Sequence, residues 1–502
     1  MGVLESLLLG FEVALQPINL LYVFVGVAIG TVIGVLPGLG PTATIALLLP
    51  LTFAIPPESA IIMLAGIYYG SMYGGTITSV LLQLPGEAAS VVTTFDGYQM
   101  AQQGRAGPAL GIAAIGSFIG GTVSVVGLTL FAPLLAAFAV RFGPPEYTAL
   151  TVLGILLVTY LGTKSFAKSL VMACLGLLLA SIGQDPVAGT QRFSFGIIEL
   201  LRGLDFVAVA MGLFGVGEIL YNLENEGRGT LATSRISHIW PTMRDWAQSR
   251  GAILRGSVLG FVIGVLPGGG GVVSSLASYA LEKRQAREPE RFGKGAIEGV
   301  AGPETANNAS STSAFIPLLT LGIPSNVVLA LLFGALLLQD ITPGPQLISN
   351  NPGIFWGVIA SMFIGNLILL ILNLPLVGIF VQLLRLRMGI LAALAVVVTL
   401  VGVFSININV FDMWVVLVFG LLGYMMRKTG FEPGPLILAF VLGPIMERSF
   451  RQSLLISNGD PTIFFTRPIS GTLIVIAALI IVLSAVQFFR KRSRERAGDA
   501  EA

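Results

Sequence analysis

The chain has 502 residues, of which 54% are hydrophobic and only 11% charged, and its 28 basic and 26 acidic residues leave a net charge of +2. Soluble domains carry about 25% charged residues, so this composition lacks the polar surface to dissolve a body of this length, and the mean hydropathy of +0.88 marks an integral membrane protein. A single cysteine, Cys174, and a single histidine, His238, exclude an internal disulfide, a cysteine-cluster metal site and imidazole-based catalysis.

The N-terminus, Met1 to Glu5, has no basic region, and the apolar stretch after it is long, so no cleavable signal peptide is expected. Val13–Pro57, Ala106–Val140, Ile341–Leu384 and Pro468–Phe489 contain no charge at all. A spanning helix needs roughly 20 apolar residues. On that measure, membrane segments fall near 18–36, 42–55, 59–84, 108–140, 146–162, 168–183, 204–222, 252–267, 271–281, 310–339, 353–384, 389–406, 411–426, 434–446 and 469–489. The expected fold is an all-α polytopic membrane protein with roughly 10–13 transmembrane helices, some of the short pieces being broken or re-entrant.

The first segment ends in Leu36-Pro37-Gly38-Leu39-Gly40-Pro41, which cannot continue as regular helix, and a second apolar piece restarts with Thr42 and Thr44 near its N-terminus. The next segment carries Tyr68-Tyr69-Gly70-Ser71-Met72-Tyr73-Gly74-Gly75-Thr76-Ile77-Thr78-Ser79 and leads to Pro85-Gly86-Glu87. Past a polar connector at 226–250 the same order returns. Leu266-Pro267-Gly268-Gly269-Gly270-Gly271 breaks a helix that restarts with Ser274 and Ser275. Glu304, Asn307, Asn308, Ser310 and Thr312 follow, then Gly322-Ile323-Pro324-Ser325-Asn326. Ile33 to Gly38 recurs unchanged as Ile263 to Gly268, Leu81-Leu82-Gln83-Leu84-Pro85 is echoed by Leu318 to Pro324, and Phe118-Ile119-Gly120 returns as Phe363-Ile364-Gly365. Three matches in one order indicate two homologous membrane halves, 1–225 and 251–489, joined by the 226–250 linker, which reads as cytoplasmic, and followed by a basic cytoplasmic tail, 490–502. The linker carries arginines, whereas the N-terminus carries only Glu5 and Glu12; the two halves are therefore expected to be inverted repeats.

Unwound backbone at membrane depth is tolerated only where it is covered by protein or lines a wet cavity. Its free amides at a half-helix N-terminus suit an anion. Small hydroxyl and amide side chains at the breaks suit a substrate carboxylate or sodium. These criteria select Gly38, Gly40, Thr42, Thr44, Ser71, Thr76, Gly268, Gly270, Ser274, Asn307 and Asn308 for substrate, and Glu304, Ser79, Ser310, Thr312, Ser325 and Asn326 for a coupling ion. Glycine and serine also simply permit close helix packing. An intramembrane enzyme built on Glu304 or Asp96 lacks any nucleophile–base pair.

At these residues the chain resembles the large permease subunit, TctA type, of the tripartite tricarboxylate transporter family. Gly34 to Thr44, Tyr69 to Ser79, Pro85-Gly86-Glu87, Asp96 to Ala101, Gly264 to Gly270, Glu282-Lys283-Arg284, Phe292 to Glu304, Asn307-Asn308 and Leu321 to Pro324 carry the likeness. Gly271 and the run Ser310-Ser311-Thr312-Ser313 depart from the family's usual lettering. The resemblance implies a bacterial inner-membrane importer of di- or tricarboxylates, driven by a sodium or proton gradient. Its implied partners are a small membrane subunit of about four helices and a periplasmic solute-binding protein, with no ATPase and no nucleic acid. A carrier for another small solute, such as an amino acid, is the alternative.

Overall fold

The computed structural model describes residues 2–36, 40–161, 165–185, 189–224, 238–383 and 388–498. In the first half of the chain the helices are α1 (Val3–Ala14), α2 (Pro17–Val35), α3 (Pro41–Leu48), α4 (Pro57–Leu82), α5 (Thr93–Gln102), α6 (Ala106–Ala139), α7 (Pro144–Leu161), α8 (Phe166–Ala180), α9 (Phe206–Ala210) and α10 (Gly217–Glu224). A π-helical stretch, Met211–Val216, joins the last two. The second half supplies α11 (Met243–Val265), α12 (Gly271–Gln285), α13 (Glu298–Ser313), α14 (Phe315–Leu321), α15 (Val327–Leu338), α16 (Leu347–Asn350), α17 (Pro352–Asn373), α18 (Val377–Leu383), α19 (Met388–Asn407) and α20 (Val410–Lys428), and finally α21 (Pro433–Ile456), α22 (Ile463–Thr466) and α23 (Pro468–Gly498). Among the described residues the sole sheet is a two-residue pairing of Gly183–Gln184 with Gln191–Arg192. Six helices, Pro17–Val35, Pro57–Leu82, Ala106–Ala139, Phe206–Glu224, Pro352–Asn373 and Val410–Lys428, are long and apolar enough to cross a bilayer, and shorter apolar helices accompany them. The chain is an all-α, multi-pass membrane protein.

Several elements differ from the expected segments. α1 precedes the first expected segment. α11 begins at Met243, inside the polar stretch, because Thr242 accepts the Asp245 amide (3.2 Å) while the Asp245 carboxylate accepts from the Thr242 amide (2.9 Å). This capping box starts a helix that hydropathy alone places nine residues later. The 310–339 stretch is not one helix, because α14 ends at Gly322 in the left-handed region and Pro324 prevents resumption before α15. α21 runs on to Ile456, since its charged residues are polar surface of a continuing helix.

The contacts divide the chain into two compact units: Met1–Val140 with Asp205–Thr429, and Arg141–Leu204 with Gly430–Ala502. In the first, α4 and α13 are buried along nearly their whole length. Each packs on a helix that presents glycines every fourth residue: Gly26, Gly30 and Gly34 on α2, Gly256, Gly260 and Gly264 on α11. A spacing of four keeps them on one face. A Cβ at Gly30 would lie 2.5 Å from the Ile67 carbonyl oxygen, and one at Gly256 2.6 Å from that of Gly302. In lipid, where apolar burial gives little drive to associate, such backbone proximity is what holds helices together.

A buried carboxylate ties the halves within this unit. Asp96 Oδ1, on α5, accepts the amides of Gly293, Gly295 and Ala296, each at 2.8 Å, and Oδ2 accepts the Tyr279 hydroxyl at 2.9 Å. Arg105, at the N-cap of α6, pairs with Asp245. In the second unit, Gly176 on α8 packs against the Leu436 carbonyl of α21. Arg451 bridges Asp185 (2.9 Å) and Glu447 (2.8 Å), Arg192 joins Glu447 (2.8 Å), and Arg467 binds Glu146 (2.6 Å).

Two stability outcomes follow from this packing. Gly30→Leu and Gly260→Leu should each destabilise the purified protein by about 1–3 kcal/mol or more through overpacking, read as a lower melting temperature; Gly378→Ala, where a Cβ meets no atom within 4 Å, is the control. Leucine variants that melt with wild type would show the close approach to be absent. Asp96→Ala strands four donors at about 1–3 kcal/mol each and should lower the melting temperature more than Asp96→Asn does; melting unchanged from wild type would remove the clamp.

Candidate functional site

Both expected breaks occur. α2 closes with the Leu36 amide bonded to Val32 and Ile33 carbonyls, Leu36 turns extended (ψ 106°), and α3 restarts behind the N-cap residue Gly40 with Pro41 at its first position. Gly38 lies outside the described residues. In the second half Leu266 is again extended (ψ 130°), Gly268 takes φ 78° and Gly270, the N-cap of α12, takes φ 25°. The left-handed turn at Gly268 is open to glycine at no steric cost. A Cβ on Gly40 or Gly270 would meet no atom within 4 Å, whereas one on Gly271, the first residue of α12, would collide with Asn307 and Ala89. The first amides of such a helix have no intrahelical acceptor.

Each break is covered by the turn that ends the neighbouring helix of its own half. α4 ends at Gln83 (φ 59°) and α14 at Gly322 (φ 69°), both left-handed, and a proline follows each. Gly86 then packs directly on the Gly34 carbonyl, and the Gly268 amide donates to the Ser325 carbonyl at 2.7 Å. Glu87 and Asn326 are the next N-caps, accepting the Ala89 amide (2.8 Å) and the Leu329 amide (3.0 Å).

From there each tip crosses to the other half. Asn307 Nδ2 donates to Glu87 Oε1 at 3.2 Å, and Asn326 Nδ2 donates to the Tyr68 hydroxyl at 2.9 Å. The helices beyond cross too: Gln103 donates to the Lys294 carbonyl (2.8 Å) and Gln339 to the Thr52 carbonyl (2.7 Å). The turn after Glu87 packs on α12 and α13, and α15 packs on α3 and α4.

The tip bearing Glu87 meets a buried polar cluster. Thr93 donates to Glu304 Oε1, Asn308 Nδ2 donates to Ser117 Oγ (2.7 Å) and the Glu304 carbonyl (3.1 Å), and Ser79 reaches Ser90 at 2.9 Å. Asn307 Oδ1 is buried without a hydrogen-bond partner, and Thr76 joins Thr93 as a hydroxyl neighbour of the Glu304 carboxyl. Asn307 Oδ1 faces the Cα of Gly271, the first residue of α12, closely enough that a Cβ there would collide with it. Among the described residues no lysine or arginine forms an ion pair with Glu87 or Glu304.

The selected hydroxyls share one habit. Thr44 bonds to the Gly40 carbonyl (3.1 Å), Ser71 to Tyr68 (2.7 Å), Ser79 to Gly75 (2.9 Å), Ser274 to Gly271 (2.9 Å), Ser310 to Asn307 (3.2 Å), Thr312 to Asn308 (3.1 Å) and Ser325 to Ala314 (3.3 Å). A hydroxyl has one proton and two lone pairs. Ser79 also lies 2.9 Å from the Ser90 hydroxyl and Ser274 3.0 Å from that of Ser310, so these hydroxyls reach both carbonyl and hydroxyl partners. Thr76 lines a narrow cavity with Tyr73, Ser117 and Asn373 that has room for about one water. Thr312 and Asn308 line a second with Tyr69, Tyr73 and Asn366. Thr42 sits half-buried in the first turn of α3.

The structure therefore brings Ser79, Ser274, Glu304, Asn307 and Ser310 to one side, and Ser71, Gly268, Ser325 and Asn326 to the other. The residues selected from the sequence did not include Glu87, Ser90, Thr93 or Tyr68. The proline–glycine pair ahead of Glu87 was the available signal, marking a turn that returns toward the protein interior.

The Tripartite tricarboxylate transporter TctA family matches residues 20–438. The chain is 50% identical over 492 residues, 98% of each sequence, to an "Uncharacterized 52.8 kDa protein in TAR-I ttuC' 3'region" of Agrobacterium vitis. It is also 50% identical over 233 residues, 46% of this chain and 96% of the relative, to an "Uncharacterized protein in TAR-II ttuC' 3'region" of the same organism. No solved structure matches it. With broken, protein-covered helices and a family match across most of its length, the chain belongs to the tripartite tricarboxylate transporter TctA family, the large membrane subunits of these transporters.

Proposed function

We propose that this subunit forms the permeation path of an ion-gradient-driven importer of di- or tricarboxylates. It resides in a bacterial inner membrane with its C-terminus in the cytoplasm. A periplasmic solute-binding protein delivers the ligand, and a small four-helix subunit completes the membrane complex. The observation that carries this reading is the pair of helix restarts, at Gly40 and at Gly268–Gly270, whose first amides have no intrahelical acceptor. Amide dipoles at such ends favour a carboxylate. Thr42 lies in the first turn of α3, and the cavities lined by Thr76 and Asn308 lie among α4, α6, α13 and α17.

Alternating access is supported by the exchanged contacts. Glu87 pairs with Asn307 and Asn326 with Tyr68, and Gln103 with Lys294 and Gln339 with Thr52, so the tip and following helix of each half bond to the other half. Inverted repeats let one half rock against the other around a fixed site. Glu304, Ser79, Ser310, Thr312, Ser325 and Asn326 are the oxygen ligands assigned to the coupling ion.

Uptake of radiolabelled citrate into proteoliposomes containing this chain and its small subunit tests the reading. Loaded binding protein outside and an imposed sodium or proton gradient should both be required. Uptake of an amino acid but no carboxylate would redirect the assignment to another solute, and uptake without a gradient would remove ion coupling. Gly268→Ala forces a side chain into the left-handed region at about 1–2 kcal/mol and should cut uptake about tenfold or more with the protein still folded and inserted. Wild-type rates in that variant would take the second restart out of the path.

A further inference from the structure

On α20 an exposed apolar stripe, Trp414, Val418, Leu421 and Met425, runs to the basic pair Arg427 and Lys428, and that pair is neutralised by Glu218 (3.0 Å) and Glu224 (2.7 Å). α11 and α12 carry stripes of the same kind whose basic ends have no such partner. Leu254, Val258 and Val262 on α11 are 67%, 58% and 55% exposed. Each lies two residues from a glycine of the packing face, hence on the opposite side of the helix. One turn before them stands Arg250, also exposed. On α12 the exposed Val272 and Leu276 continue at the same spacing through Ala280 to Arg284, with Lys283 and Arg287 beside it in the open. Glu282 on α12 binds Arg255 on α11 at 2.8 Å, which sets the basic ends of the two helices side by side. Glu288 turns to Arg291 at 4.0 Å, and Glu290 lies exposed beyond it. Among the described residues Arg250, Lys283, Arg284 and Arg287 pair with no carboxylate.

We infer that this face of α11 and α12 binds an anionic phospholipid, its headgroup phosphate among Arg250, Lys283, Arg284 and Arg287 and an acyl chain along the two stripes. Charge complementarity selects this occupant. Unpaired cations at the edge of an apolar face match a ligand that is anionic at one end and hydrocarbon at the other, and basic clusters beside membrane helices recognise lipid phosphates in this way. A neutral lipid leaves the cations unanswered, and a free anion leaves the stripes bare. Length agrees as well. Arg250 to Val262 and Val272 to Arg284 each advance twelve residues, about 18 Å along a helix, close to the roughly 15 Å of hydrocarbon in one leaflet. Both stripes lead from the basic edge toward the break between Val265 and Gly271, so the bound lipid clasps the two helices that flank the second restart. This site goes beyond the importer reading and does not depend on it.

Native mass spectrometry of the purified full-length chain in neutral detergent, titrated with phosphatidylglycerol and in parallel with phosphatidylcholine, tests the site without substrate or partners. Phosphatidylglycerol should bind saturably and about tenfold or more tighter than phosphatidylcholine, as several Lys and Arg side chains at one headgroup imply. Arg250→Gln and Arg284→Gln should each weaken phosphatidylglycerol binding about fivefold and leave phosphatidylcholine binding as it was. Lys428→Gln, at the neutralised end of α20, should alter neither. Should one of these variants fold poorly, Lys283→Gln combined with Arg287→Gln gives the same reading from two other exposed side chains. Equal binding of the two lipids overturns the proposal, as does a preference that survives the loss of Arg250 and Arg284 together. Displacement of the lipid by an equal concentration of inorganic phosphate would assign a free anion, and loss of the lipid on purification with the small membrane subunit would assign that subunit to this face; either result overturns the lipid site.

Discussion

A helix cannot stop within a bilayer unless something other than water receives its last carbonyls and first amides. This chain stops twice, after Val35 and after Val265, and both interruptions are closed from within the same half: by Gly86 against Gly34, and by Ser325 accepting from Gly268. The tips that perform this closure then bind the opposite half through Glu87 and Asn326. Covering the breaks and joining the halves are therefore one structural act.

The closeness that makes this cover feasible comes from residues with almost no side chain. On α2 and α11 the glycine triplets let the backbones of α4 and α13 approach to a distance that no Cβ would allow. Both inner helices are consequently buried on all sides and can carry polar residues such as Glu304, Asn307 and Asn308 without exposing them to lipid. Polar side chains in a spanning protein need such an interior. Packing and chemistry are linked here: the small residues create the sheath, and the sheath permits the acidic cluster.

Much of this was legible in the sequence. Proline beside glycine at 37–38 and 267–268 announces a break by backbone stereochemistry alone, and the repeated hexamer shows the second break to correspond to the first. Partners far apart in the chain were not legible. Nothing local to Pro85-Gly86-Glu87 indicates that Asn307 lies beside it, nor does Asp96 by itself reveal that three amides near residue 295 converge on it. Hydropathy misread polar starts such as Thr242 to Arg250 as connector, because a capping box is a hydrogen-bond pattern and not an apolar one. Composition likewise identified the serines and threonines at the breaks as polar but could not show which partners they reach, such as Ser90 beside Ser79 and Ser310 beside Ser274.

The tips of the two halves share a geometry and differ in charge. Glu87 and Asn326 are both N-caps after a left-handed helix end, yet one is acidic and the other neutral. Across from them, 236 residues apart in sequence, stand Glu304 and Tyr68, and at the same spacing Asn307 and Ser71. Every acidic member falls on the side where the first half's tip meets α13, and the reciprocal side holds none. One side therefore gathers the Glu87 and Glu304 carboxyls in the protein interior, while the other offers the Asn326 amide and Tyr68 hydroxyl without a carboxyl beside them. The two tips share a cap geometry and cross to the opposite half, yet the environments they reach differ in polarity because the residues facing them differ.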